Sequence, residues 1–503
     1  MNAMAGYASR AFWKRKWFSS SNMKWTFLRY FFNANYFLNA QPTSKTHKHL
    51  LKSNEINPGL SVDSFHERRK KLIESVRNDD STFVKNEDSH LIVIPSNSIA
   101  YMSDNIPFPF RQNSDFLYLS GYKEANCVLL LCTSANESYD KSILFIPKPT
   151  AHSERWEGTK MDLSTVSDFL GLDEAFYLGD LEVYLQSFAQ TNRNFTLWYD
   201  YLNSPFQQLH QIMRDFMAAY KGKISVESPR SVLHEIRLIK SKREIDLLRK
   251  SCDIAAEAMT EVMKFSKPSI SEAHLFAKME FECRMGGADR LSFPPVVAGG
   301  DRANTIHYID NNQLVNDGDM VLVDAGCEYH GYCSDLARTW PVNGRFTSAQ
   351  KELYEVILSV QKELIHMCEQ KPSLDHLFRS MCQSLGKQFQ NLGIISKSAS
   401  IEDVMQIAYN YCPHHVSHYL GMDVHDTSLM SRSIKLQPGM VVTVEPGVYI
   451  SKTDSRVPER FKGFCIRIED DILITDEGYE ILTANCPKDV SDIEKVVGCK
   501  SKG

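Results

Sequence analysis

The sequence predicts an α/β (α+β) protein with two folded domains behind a basic leader: a mixed α/β N-terminal domain and a larger C-terminal domain of long helices and strands. Three observations carry this. At 503 residues the chain has room for two or three domains. Short apolar runs alternate with polar or helical segments until about residue 227. Around Ser228–Val232 the texture changes to amphipathic helical stretches separated by β-branched runs. Apolar residues make up 43% and charged residues 24%, with a formal net charge of -5, which suits an ordinary soluble protein and offers no basic surface to nucleic acid. No apolar run approaches the roughly 18 residues of a membrane span, so no transmembrane helix is expected.

Taken in order, Met1–Asn54 holds no Asp or Glu but carries Arg10, Lys14, Arg15, Lys16, Lys24, Arg29, Lys45, Lys48 and Lys52, with Trp13, Trp17, Phe18, Trp25 and Phe27 interleaved. An acid-free, basic, amphipathic stretch is what a mitochondrial transit peptide needs, here over residues 1–55. A disordered basic arm or a membrane-surface helix is the alternative. Pro58 and Gly59 mark a loop, a charged helix follows at Phe65–Val76, and strands are expected at His90–Pro95, Val128–Cys132, Ile143–Pro147 and Thr196–Tyr199, within an N-terminal domain of residues 56–230. Ile236–Met263, with apolar positions at Ile239, Leu247, Leu248, Ile254 and Met259, reads as one long helix opening a second domain of residues 231–503. Further helices are expected at Ser348–Cys368 and Leu374–Leu392, and strand-like segments at Met320–Cys327, Met440–Ile450 and Phe464–Thr475. The twelve cysteines form no CxxC pair and read as reduced, mostly buried thiols.

The chemistry concentrates in the second domain. VLVDAGCEYHGYCSDLARTW, residues 321–340, reads as a hairpin, and a loop at Tyr329 and His330 puts Asp324 directly across from Asp335. Facing like charges repel, so a buried pair must either keep a proton or hold a cation. The alternative has one aspartate in the turn and the other in solvent. CPHHVSHYLGMDVHD, residues 412–426, holds four histidines, His414, His415, His418 and His425, a density seldom explained by packing. In VVTVEPGVYI, residues 441–450, Glu445 interrupts a β-branched run before Pro446. In FCIRIEDDILIT, residues 464–475, alternation puts Arg467, Glu469 and Asp471 on one face, where Glu469 alone would pass for an ion pair with Arg467. Asp324, Asp335, one histidine, Glu445 and Glu469 together make a mostly oxygen shell suited to two divalent ions. Manganese fits best, with cobalt, iron or zinc bound less selectively.

These signatures, DAG at 324–326, HHVSHYLGMDVHD, TVEPG and RIEDD, resemble those of the pita-bread (creatinase-like) metallopeptidases, the family of aminopeptidase P, prolidase and methionine aminopeptidase. FRQNSDFLYLSGY at 110–122 and ERWEG at 154–158 resemble the N-terminal domain of aminopeptidase P, and RTWPVNGRFT at 338–347 its catalytic domain. The resemblance implies a pita-bread catalytic domain with metal ligands Asp324, Asp335, His418, Glu445 and Glu469. His418 is singled out because the family's ligand falls seven residues before the histidine of VHD, here His425. It further implies that His414 and His425 line the substrate site with His307 opposite, and that Arg467 orients the ligands. His415 stands where bacterial relatives carry glycine.

The implied reaction is removal of the N-terminal residue from peptides with proline second. A water between two divalent ions is acidified toward neutrality, and its hydroxide attacks the scissile carbonyl. Glu445 is the expected proton shuttle, and His425 and His307 the donors to the carbonyl, a contribution of about 3 kcal/mol per donor in other enzymes. The X-Pro bond lacks an N–H and carries a rigid ring, so it needs a dedicated pocket. The resemblance also implies a homodimer, with the 151–162 loop near the partner's active site, and the leader implies the mitochondrial matrix, with the cytoplasm as a second location. Rival readings are a prolidase limited to dipeptides, trimming of mitochondrial precursors without a proline requirement, and a metal-free interaction protein on the same fold.

Overall fold

A computed structural model describes residues 41–78, 89–134, 140–192 and 194–498, so the leader lies outside the described residues as far as residue 40. Residues 41–55, counted with the leader in the sequence reading, are folded. The buried Gln41 side chain donates to the Gly121 carbonyl at 2.8 Å and accepts from the Lys123 amide at 2.7 Å.

The N-terminal domain is built on strands β1 (His90–Pro95), β2 (Val128–Thr133), β3 (Lys141–Ile146), β4 (Glu174–Tyr177), β5 (Asn194–Trp198) and β6 (Lys223–Glu227), in spatial order β6-β5-β1-β2-β3-β4. Helices α1 (Val62–Arg77), α2 (Ser114–Ser120), α3 (Ala151–Glu157), α4 (Leu163–Leu170), α5 (Leu181–Thr191) and α6 (Gln207–Ala219) complete it. Ile92, Ile94, Leu129 and Leu131 pack against α1, α2 and α4, whereas Leu91, Val93, Val128 and Leu130 pack against α5 and α6. With both faces covered, the central strands are apolar throughout, which is why they are legible as continuous runs. The partly exposed β4 and β6 carry no such run and escape the sequence reading.

The single helix expected over Ile236–Met263 is two, α7 (Arg230–Leu238) and α8 (Lys242–Phe265). The apolar period continues through the break, but Ser241 and Glu244 form a capping box that starts a new helix, and the Lys240 amide bonds the Gly439 carbonyl instead. Helices α9 (Glu272–Met285), α10 (Ser348–Met367), α11 (Leu374–Leu392), α12 (Ile401–Tyr411) and α13 (Val490–Val496) surround the catalytic core.

The aspartate hairpin has a different register from the one expected. Strands β7 (Val296–Gly299), β8 (Met320–Asp324) and β11 (Ala337–Pro341) form one sheet, and β9 (Cys327–Tyr329) pairs with β10 (Tyr332–Cys333). Tyr329 faces Tyr332, so the turn is His330-Gly331, both at positive φ, as a two-residue turn of this hand requires. Asp324 therefore faces Ala337, not Asp335. The shift is by two residues, which preserves the face, so the two aspartates remain diagonal neighbours on one side.

The two remaining strand segments are each broken. Met440–Ile450 divides into β12 (Val441–Val444) and β13 (Gly447–Tyr449), and Phe464–Thr475 into β14 (Cys465–Arg467) and β15 (Asp470–Thr475), with β16 (Gly478–Ile481) beside β15. Val444 pairs with Asp470 and Gly447 with Arg467, so the two breaks coincide. Glu445 and Pro446 lie in one break and Ile468 and Glu469 in the other. The eleven described cysteines are free and buried, and no described helix is long and apolar enough to cross a membrane.

Candidate active site

The paired strand breaks and the hairpin converge on one buried cluster. Glu445 is anchored by its amide to the Val416 carbonyl and Glu469 by its amide to the Ala337 carbonyl, which turns both side chains out of the interrupted ladders. Ligand atoms of Asp335, His418 and Glu469 all lie within 4.8 Å of one another. His418 Nε2 is 3.3 Å from Asp335 Oδ2 and 3.8 Å from Glu445 Oε1. Asp324 meets the set from the neighbouring strand, where the charge of Asp335 adds to burial in raising its carboxyl. All five residues expected as ligands are thus brought together.

His418 Nδ1 donates to the Tyr419 carbonyl at 3.2 Å, which leaves the Nε2 lone pair facing the carboxylates. Arg467 Nη2 donates to Asp324 Oδ2 at 2.6 Å and Nη1 to the Tyr449 hydroxyl at 2.5 Å, and that hydroxyl in turn lies 2.9 Å from His414 Nε2. Tyr449 was missed by the sequence reading. The signal was present in VEPGVYI, where a tyrosine follows Glu445 by four residues. Asp471, placed on the right face by alternation, lies beneath the cluster and accepts the Asp335 amide at 2.9 Å and the Cys252 thiol at 3.2 Å.

Burial, reinforced by mutual repulsion, pushes Glu445 and Glu469 well above the ordinary carboxyl value. Burial also raises Asp324 and Asp335, with Arg467 only partly offsetting it. Four carboxyls and one guanidinium are short of positive charge, and Asp324 Oδ1, Asp335 Oδ1 and Glu469 Oε1 have no hydrogen-bond partner among the described residues. A hard divalent cation pair supplies both deficits, so the donor set fits the expected ions.

The other histidines take separate roles. His414 Nδ1 bonds the His415 carbonyl and lies 3.6 Å from Glu445, and burial with the Arg467 charge lowers its pKa to about 4, so the ring is neutral. His425 meets His418 edge-on at 4.5 Å, and burial with the neighbouring His418 and His307 depresses it to about 4 as well. His307 is exposed and within electrostatic reach of both His414 and His425. His415 points away, stacked on Phe378 at 5.0 Å with its Nδ1 at 2.7 Å from the Ser417 carbonyl.

The loop carrying His425 is fastened from two sides, by Arg237 and Lys240 at the start of its own domain and by Arg111 of the N-terminal domain. Asp426 is buried between Arg237, at 2.5 Å, and Lys240, at 3.2 Å. Arg237 also holds Asp115 at 2.6 Å and Asp423 at 3.0 Å, and Arg111 spans Glu328 and Asp423. The FRQNSDF stretch thus earns its distinctive sequence by gripping the GMDVHD loop, a role the sequence did not disclose.

Comparison with known proteins agrees with this geometry. A model of metallopeptidase family M24 matches residues 246–476, and one of the aminopeptidase P N-terminal domain matches residues 65–198. The chain is 44% identical to Xaa-Pro aminopeptidase 3 of Rattus norvegicus over 463 residues, covering 91% of this chain and 90% of that one. It is 38% identical to the mitochondrial intermediate cleaving peptidase 55 of Arabidopsis thaliana, covering 91% and 87%. The solved structure of proline aminopeptidase P II from Yersinia pestis superposes with a TM-score of 0.79 at 31% identity, covering 87% of this chain and 99% of that one.

Proposed function

Because the chain belongs to the aminopeptidase P family of M24 metallopeptidases, and is thereby a metallo-aminopeptidase, we propose that it releases the first residue of peptides whose second residue is proline. The observation that carries this is the buried cluster of Asp324, Asp335, His418, Glu445 and Glu469 with its unpartnered oxygens, which we assign as the ligands of two divalent ions, manganese first. Such ions lower the pKa of bound water toward neutrality and polarise a carbonyl.

The chain's own residues supply the rest. Glu445 takes the proton of the attacking water and delivers it to the leaving proline nitrogen, which has no proton of its own. His425 and His307 donate to the substrate carbonyl. Neutral His414, held by Tyr449, forms the edge of the proline pocket. Arg467 fixes Asp324 and Tyr449 together, so one guanidinium orients both the acid and the pocket.

The acid-free basic leader and the name of the Arabidopsis relative support a mitochondrial enzyme, in the matrix and also in the cytoplasm where the leader is not used, and the names of both the Arabidopsis and the rat relative support the trimming of peptide or precursor N-termini. A homodimer is supported by apolar surface outside the site. Tyr101, Met102, Ile106 and Phe108 of one hairpin are about half exposed, and α3, which carries Trp156, buries no residue. Light scattering on the purified protein is expected to give twice the chain mass, and a single-chain mass would remove the dimer.

The test of the reaction uses residues 41–503, stripped by chelator and reloaded with manganese, cobalt or zinc. Metal-dependent release of arginine from Arg-Pro-Pro, abolished in Asp335→Asn, is expected. Cleavage of Arg-Pro alone would favour a prolidase, and preference for Tyr-Ala-Ala would favour trimming without proline. No hydrolysis with any metal would leave an interaction protein.

A further inference from the structure

Beside His414 lies a cleft of about 640 Å³ that the reaction above leaves unused. Its wall is aromatic. The His415 ring lies flat on Phe378, 5.0 Å between centroids and 16° between planes, and Phe378 meets Tyr409 edge-on at 6.0 Å. Phe378 comes from α11 and Tyr409 from α12, and Met405 of α12 lines the same cleft. The histidine is pinned by Ser417, so the shelf is pre-formed. Had this position been glycine, the ring and the stack on Phe378 would be absent.

Two features point to an occupant. The cleft is continuous with the active site, because His414 lines it and is also 3.6 Å from Glu445. Its volume falls within the roughly 300–1,000 Å³ of ligand-sized sites and exceeds what a single side chain fills. An aminopeptidase holds one residue on the amino side of the cut bond and a chain of any length on the leaving side, so a cleft that shares His414 with the edge of the proline pocket matches the leaving side. The exposed Arg432 lines it too; its carbonyl accepts the Asp375 amide, and its side chain has no hydrogen bond or salt bridge to a described residue. Its N–H groups are free for peptide carbonyls, and Glu402 on the same cleft balances its charge, so the aromatic and apolar wall sets the choice of side chain.

We infer that the shelf of His415, Phe378, Tyr409 and Met405 is the binding site for the third residue of the substrate, selecting an aromatic or large apolar side chain there. The inference rests on the aminopeptidase reading and adds to it a preference beyond the proline.

The test compares kcat/KM for Arg-Pro-Phe-Gly, Arg-Pro-Gly-Gly and Arg-Pro-Lys-Gly, with Phe-Pro-Gly-Gly to vary the first residue. The expected order is Phe over both Gly and Lys by about threefold to tenfold, expressed in KM. In His415→Gly, and separately in Met405→Ala in case the first variant melts early, the Phe-over-Gly ratio is expected to fall toward one. Equal rates for Phe and Gly in the unaltered enzyme would overturn the inference. So would a ratio that both folded variants leave untouched, or variants that change the ranking of the first residue instead of the third. Failure to cleave any of the four peptides would strike the aminopeptidase reading itself, and this inference with it.

Discussion

At Gly326 a single methyl group decides whether the site can form. A Cβ there would lie 1.7 Å from the Ser334 carbonyl oxygen and 2.6 Å from Ser292 Oγ. Ser334 precedes Asp335, and Gly326 follows Asp324 by two, so the glycine is what lets the two aspartate-bearing strands cross closely. Gly326→Ala is expected to force backbone apart, costing about 1–3 kcal/mol or more and misplacing Asp335. A lowered melting temperature together with loss of bound divalent metal per chain checks this, and normal metal content would refute it. Arg467 works at the same scale: with Asp324 on one side and Tyr449 on the other, it couples the carboxylate cluster to His414 through three hydrogen bonds in series.

At the scale of elements, interruptions do the positioning. Glu445 and Glu469 reach the cluster because β12–β13 and β14–β15 break opposite each other, where ladder bonds no longer claim the backbone. The capping box at Ser241 is a second interruption, and it frees Lys240 to turn inward to Asp426. Ser241→Ala is expected to lower stability by about 1 kcal/mol, read by urea denaturation, with no change in metal binding. These breaks also mark where the sequence was hard to read. The apolar pattern found α11 over Leu374–Leu392, buried on one fixed face, and β1 over His90–Pro95, covered on both faces, without error. It ran straight through Ile239–Ser241 and Pro446, since apolar residues continue on both sides of each break and only cap or proline chemistry signals the stop. The four candidate carboxylate ligands were legible because carboxylates are conspicuous in β-branched surroundings, whereas His418 was singled out from four histidines by the family resemblance alone. Tyr449, Arg237 and Lys240 were not legible, because a buried tyrosine or a basic residue on a helix looks ordinary until its partner, distant in sequence, is known.

Over the whole molecule the two domains share a seam rather than a hinge. Arg237 holds Asp115 of the N-terminal domain and Asp423 and Asp426 of the catalytic loop at once, and Arg68 of α1 reaches the Tyr332 hydroxyl at 3.0 Å. His234 belongs to this seam and accepts the Leu429 amide at 3.2 Å. Burial keeps its imidazole below the ordinary value of 6.5, and Asp115 offsets this only in part. The folded state therefore prefers neutral His234, so its contribution is intact above pH 6.5 and is lost as pH falls, where the unfolded chain takes up the proton more readily. His234→Asn keeps an acceptor for Leu429 without a titrating group. Its melting temperature is expected to fall less than that of the unaltered protein between about pH 7.5 and about pH 5.5, and equal falls would count against the assignment.

The burial of every described thiol gives this seam a clock. Cys127 and Cys132 sit in the N-terminal domain and the other nine described cysteines in the catalytic one, none of them open to solvent. A thiol-reactive label can modify them only when the chain opens, so the order in which they react on warming records which parts come loose first. Two domains tied through a buried arginine should surrender their cysteines together.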